Sequence, residues 1–409
     1  MGAINLDNTG SGGAVTLTSD GTDLLLGGTA IGGAPTAYAA NASGIGLAPQ
    51  ANGTRSVAIG SDAAAQTNDC VAIGYQATAQ GTRAFAFGYD AIAGPTSPAT
   101  NDALALGYQS RAYATSATAI NNSYASGTAS FAAAIGNNTS SYGALGANSI
   151  AIGNLARTNS GYAGAVVIGD SGFAPTTNSV SIGYGNQATG SSNAIAIGYE
   201  NRAYNGPNTS SLGGKWNDAS GNYATVVGGG DNNAIGNYSM VAGGSQNDAA
   251  GEYSFASGYQ SKAARYGQKS HSSGRFAATG DAQGSQFILR ADTTDATATV
   301  LTTDNTAPGT TDQIVAASDT CITFDGTITA MQNGAQAYAS WRIEGLLVND
   351  GGTTTLANSA TTVIQNLSSW GMALTADNTN NALAITCTGE ASHNIRWVAN
   401  IRTTEVTYA

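Results

Sequence analysis

The sequence predicts an all-β chain: a slender parallel β-solenoid of about seventeen rungs, then an antiparallel, jelly-roll-like β-sandwich. Three observations predict it. A strand-like triplet closed by glycine recurs every 14 to 16 residues. Composition is poor in volume, with 55 glycines, 10% charged residues and an apolar fraction dominated by alanine, so a core must come from stacking rungs or from assembly with further copies. Near Ser270 the recurrence stops and longer alternating runs begin.

The triplets read SVAIG before Ser61, CVAIG before Tyr75, AFAFG before Tyr89, ALALG before Tyr108, SIAIG before Asn154 and AIAIG before Tyr199. Their glycines form a ruler from Gly32, Gly46, Gly60 and Gly74 through Gly258 to Gly274, with Asn121 in the one missing place. The step from Gly88 to Gly107 is longer by five residues around Pro95 and Pro98, a turn-rich insertion expected to bulge outward without breaking a strand.

Within a triplet the outer two residues are large, as in Val57 and Ile59 or Phe85 and Phe87, and the middle one is small, as in Ala58 and Ala86. Alternation with period 2 puts bulky groups on one face and alanine on the other. The bulky face is expected to fill the coil, leaving the alanine face to meet a flat apolar partner, which two further copies around a three-fold axis supply. At roughly 4.8 Å per rung such a shaft would be about 80 Å long. From Leu212 to Gly258 the unit changes: Asn217, Asn232 and Asn247 recur every 15 residues, as do Tyr223, Tyr238 and Tyr253. In register these make asparagine and tyrosine ladders, structural first, with sugar stacking by an exposed tyrosine row as the alternative.

A net charge of -11 opposes binding to nucleic acid. Cys70, Cys321 and Cys387 are too few for a disulfide framework, and buried free thiols are expected in preference to a Cys321–Cys387 bridge. The opening MGAINLDNTGSGGAV has no signal-peptide pattern, and nowhere do 18 apolar residues run together, so no membrane insertion is expected.

The motifs SVAIGSDAAAQ, CVAIGYQATAQ and AIAIGYENRA resemble the head repeats of YadA-like trimeric adhesins. That resemblance implies a left-handed parallel β-roll and a homotrimer. The same roll occurs in bacteriophage tail fibres. A missing secretion signal, heptad stalk and membrane anchor favour the phage fibre over a bacterial autotransporter head, and NLDNTGSGGAVTLTSDGTDLLLGG resembles N-terminal segments of phage particle proteins. The resulting expectation is a virion structural protein on a tail or other external appendage. Residues 1–29 would attach it to a tail, baseplate or neck protein, 30–275 would form the shaft, and 276–409 a tip that meets a host-surface polysaccharide or protein.

Runs such as SQFILRAD, TCITFDGTITAMQ, AYASWRIEGLLV and IRWVANIRTTEV give the tip about seven strands. Its receptor-binding candidates are Trp370, beside Ser368 and Ser369, as a sugar-stacking aromatic, with Asn349, Asp350, Asp377 and Asn380 as loop polar groups. Core packing is the commoner fate of such a tryptophan, and Trp341 and Trp397 alternate like core residues. No cofactor is expected. His271 is a weak candidate for an ion on a three-fold axis, and with only His271 and His393 no metal or triad spacing exists. The five glutamates form no evident pair, so a binding protein is expected in preference to a glycan-cleaving tailspike.

Overall fold

The computed structural model describes residues 39–94, 101–134, 141–334, 337–366 and 370–408, and the backbone of three short strands, Ile4–Leu6, Val15–Ser19 and Leu24–Leu26. Those three pair antiparallel. The rest of the expected attachment segment, the Gly32 unit, the Pro95–Pro98 insertion and the Ser368–Ser369 pair lie outside the described residues. Among the described residues the chain is all-β without a helix, and none is long and apolar enough to cross a membrane. The β-solenoid has about 15 turns and is followed by antiparallel strands. Two compact units, Met1–Ala194 and Ile195–Ala409, are taken in turn.

In the first unit each triplet pairs in parallel with the next, Val57, Ala58 and Ile59 lying against Val71, Ala72 and Ile73. A second, two-residue strand in each rung pairs likewise, as Ala64–Ala65 does with Thr78–Ala79. Across the insertion the register holds, Phe85, Ala86 and Phe87 meeting Leu104, Ala105 and Leu106. The glycine turn is sterically required: Gly74 has φ +131°, and a Cβ there would lie 2.2 Å from the carbonyl oxygen of Gly88. Asn121 takes the place of that glycine at φ +52°, which asparagine tolerates better than most residues.

The structure reverses the expected facing of the triplets. Ala58, Ala72, Ala86 and Ala105 have no exposed surface, whereas Phe85 and Phe87 are 38% and 45% exposed. A rung of two short strands and two tight turns encloses a lumen that methyl groups already fill. The alanines of the second strands, such as Ala65, Ala79 and Ala93, line its other wall and are equally buried. The larger side chains must therefore point outward, giving two columns along the unit that are mostly Val, Ile, Phe and Leu, interrupted at Thr118 and Ala133. Along one turn edge, Arg55 makes a two-pronged contact with Asp69 at 2.6 and 2.8 Å, and Arg83 one with Asp102 at 2.6 and 2.9 Å. The bond from Arg55 holds the Asp69 carboxyl below the usual carboxylate range. Exposed pairs of this kind contribute little to stability, and their geometric demand helps select one register.

The second unit continues with parallel triplets from Ile195–Tyr199 to Lys269–Ser273. The asparagine ladder points inward. Asn232 is fully buried; its Nδ2 donates to Gly228 O at 2.9 Å, Gly244 O at 3.0 Å and Asn217 Oδ1 at 3.1 Å, and its Oδ1 accepts from Asn247 N and Nδ2 at 3.0 Å. Asn217 and Asn247 repeat the pattern. The tyrosine ladder points outward, Tyr223, Tyr238 and Tyr253 stacking at 5.0 and 4.8 Å with rings 3° from parallel. Stacked on one another, the rings turn their edges to solvent, and the faces between them are closed to a sugar.

The end domain begins where Lys269–Ser273 pairs antiparallel with Ala282–Thr293. One sheet runs in spatial order Ala282–Thr293, Ile395–Thr407, Thr320–Gln332, Tyr338–Asp350 and Thr353–Asn366. The other sets Ala298–Val300 and Ile314–Val315 on one side of Ala382–Thr388, with Gly371–Asp377 on its other side. Between them lies a core that includes Phe287, Ile328, Ile343, Leu347, Ile385 and three tryptophans. Two short strands, Ile314–Val315 and Gly371–Asp377, have no counterpart in the sequence reading.

The three cysteines are free. Burial pushes the Cys387 thiol up to about 12 and raises that of Cys70, and only Cys321 is partly exposed. We expect a maleimide to label one thiol per native chain, at Cys321, and three after denaturation; native labelling of Cys387 in peptide mapping would contradict the packing.

Candidate binding site

Each predicted site residue has a definite place. Trp370 is 3% exposed, its ring 5.7 Å from that of Trp397, which in turn stacks on Trp341 at 5.6 Å. It is a core residue and offers no face to a sugar, because the gap between the two sheets at this end is filled by three indoles. Asn349 is also buried; its Nδ2 donates to Ala316 O at 2.9 Å and its Oδ1 accepts from Gly352 N at 3.0 Å, so it shapes a turn. Asp350 is exposed on that turn.

Asp377 Oδ1 accepts from Thr379 N at 2.9 Å and Asn380 N at 3.2 Å, and its Oδ2 from Asn380 Nδ2 at 2.8 Å. Partial burial pushes its carboxyl up, but these hydrogen bonds outweigh it and hold the group below its ordinary value. Thr354 joins the two turns, donating from N to Asn378 Oδ1 at 2.7 Å and from Oγ1 to Asn381 Oδ1 at 3.2 Å. The structure thus brings Asn349, Asp350, Asp377 and Asn380 to one end of the domain and leaves Trp370 at the other end of the Gly371–Asp377 strand. Much of their hydrogen-bonding capacity goes into the turns themselves.

A cavity of about 970 Å³ lies instead on the outer face of the long sheet, walled on one side by Lys269 and His271. Strand register explains its chemistry. Gln286 opposes Arg402, Arg402 opposes Asp325, and Asp325 opposes Glu344, so four neighbouring strands present these side chains in one row on one face. Arg402 Nη2 lies 3.3 Å from Asp325 Oδ2. Thr323, Thr404 and Asn358 form the next row, and Gly284 keeps the floor low. Asp325 and Glu344 are the carboxylate pair that the sequence conceals. His271 Nδ1 sits 3.1 Å from Ser257 Oγ, and no group of three His, Cys, Asp or Glu suited to a metal occurs among the described residues.

The YadA head domain repeat family model matches residues 37–63, 51–69, 71–91, 101–120 and 177–201. Those stretches of the roll are similar to YadA head repeats. No curated protein matches the chain. Among solved structures, the tailspike protein of Acinetobacter phage vB_ApiP_P1 is similar at 10% identity and a TM-score of 0.18, over 89% of this chain and 78% of that one. The tailspike protein of Acinetobacter baumannii phage AM24 is similar at 10% identity and a TM-score of 0.19, over 87% and 68%. Likeness that weak says nothing about shared chemistry.

Proposed function

We propose that this chain is a homotrimeric fibre protein of an external phage appendage, held to the particle through its N-terminal segment and adhering to host-surface glycan or protein through its end domain. The observation that carries the assembly is the pair of outward columns, mostly Val, Ile, Phe and Leu, along the first unit, which one chain leaves uncovered. The YadA-like repeats support an adhesive fibre. The groove supports a binding end, since its threonines, Asn358 and charged row offer both donors and acceptors to a polar ligand. Binding without turnover is the reading we favour. Host cells incubated with purified protein should retain it, and Arg402→Ala with Asp325→Ala should lower retention at unchanged mass and melting temperature. Unchanged retention would remove the groove from the adhesive surface.

A second reading has one specific observation behind it: neighbouring carboxylates across strands are the residue types of a glycosidase. Incubation with host polysaccharide, followed by an assay for new reducing ends, separates the two. Release that Glu344→Gln abolishes would establish cleavage.

A further inference from the structure

Three of the four tryptophans are in the end-domain core, but Trp216 stands on the outside of the roll, 49% exposed. It is held in place: its Nε1 donates to Glu200 Oε2 at 2.9 Å, and Lys215 Nζ lies 4.4 Å from the ring centroid. The next rung sets a glycine beside Lys215. Gly230 bridges Lys215, and a Cβ on it would approach nothing nearer than Lys215 atoms at 3.9 Å. Asp231 follows, its backbone N donating to Lys215 O at 3.0 Å, and its Oδ2 accepts from Gln246 Nε2 at 3.2 Å. In consecutive rungs the corner therefore presents a carboxylate, an indole, a carboxylate and an amide.

We infer that this corner is a saccharide-binding platform for a neutral hexopyranose chain, separate from the end-domain groove and independent of it. A pyranose ring has an apolar C–H face that packs on an indole, and hydroxyls around its rim. Here Lys215 lies over Trp216, whose exposed surface is offered for such stacking, while Glu200 and Asp231 accept from hydroxyls and the Lys215 ammonium donates to them. A carboxylated sugar would meet two carboxylates on a chain of net charge -11, which selects for an uncharged one. A fixed indole loses little side-chain freedom on binding, unlike a free surface tryptophan.

The test uses the full chain with three probes, cellohexaose, maltohexaose and fully N-acetylated chitohexaose, followed by calorimetry and by tryptophan emission. Trp341, Trp370 and Trp397 are at most 3% exposed, so a ligand-induced blue shift reports Trp216. We expect at least one probe to bind with a saturable shift. Trp216→Ala should abolish the shift and weaken binding at least about tenfold, as loss of an aromatic anchor does, at unchanged mass and melting temperature. Trp216→Tyr should keep part of the affinity, and Asp231→Ala should weaken it about threefold. Binding of none of the three, or wild-type affinity in Trp216→Ala, would overturn the inference. A lower assembly mass in that variant would overturn it too, by making the indole a subunit contact.

Discussion

Asn232→Ala is expected to cost about 3 to 5 kcal/mol of stability, several times what an ordinary surface substitution costs. The side chain makes five hydrogen bonds at a position with no solvent access. Alanine leaves the carbonyls of Gly228 and Gly244 with one partner fewer and removes the acceptor for Asn247. Asn232→Asp should be as damaging, because a carboxylate cannot donate to those carbonyls and its charge would be buried. Both variants should show a lowered first thermal transition and new protease cleavage between Ser210 and Ser261, since rungs are stabilised chiefly by their neighbours. A loss below about 1 kcal/mol would mean that the ladder is ornamental and that backbone pairing alone holds these rungs.

The second large effect separates the two faces of one strand. Ala86 points into a lumen packed by Ala72 and Ala105 in register, so Ala86→Leu should unfold the local rungs, at a cost of about 1 to 3 kcal/mol or more from overpacking. Phe85 and Phe87 point outward, and Phe85→Glu with Phe87→Glu should leave the rungs folded in a single chain while disrupting association. Circular dichroism and mass in solution distinguish these outcomes. Had the bulky face filled the coil, the results would be exchanged.

That exchange marks the limit of what the sequence showed. Period, glycine turns, register across the insertion and both ladders were legible, because each depends on local spacing. Which face turns inward was not, since alternation is symmetric and only the narrowness of the closed rung decides. In the end domain the long alternating runs were readable as strands, whereas Ile314–Val315 is too short to carry a pattern.

The candidate site was harder. Asn349 and Trp370 occupy sequence contexts that suit exposed loops, yet tertiary packing buries both. Asp325 and Glu344 face each other across two consecutive strands, but Arg402 joins them from a strand distant in sequence, and nothing local announces that register. Trp216 was hidden differently, as one substituent at a repeat position that elsewhere holds Glu200, Asp231, Gln246 or Gln260.

The central claim is that an alanine-filled roll turns its bulky apolar columns outward and requires two further copies to cover them. Sedimentation equilibrium of the purified chain tests this most directly. The account predicts a species of three times the 40.6 kDa chain mass, stable to dilution into the nanomolar range. A well-folded, soluble monomer of 40.6 kDa would contradict it.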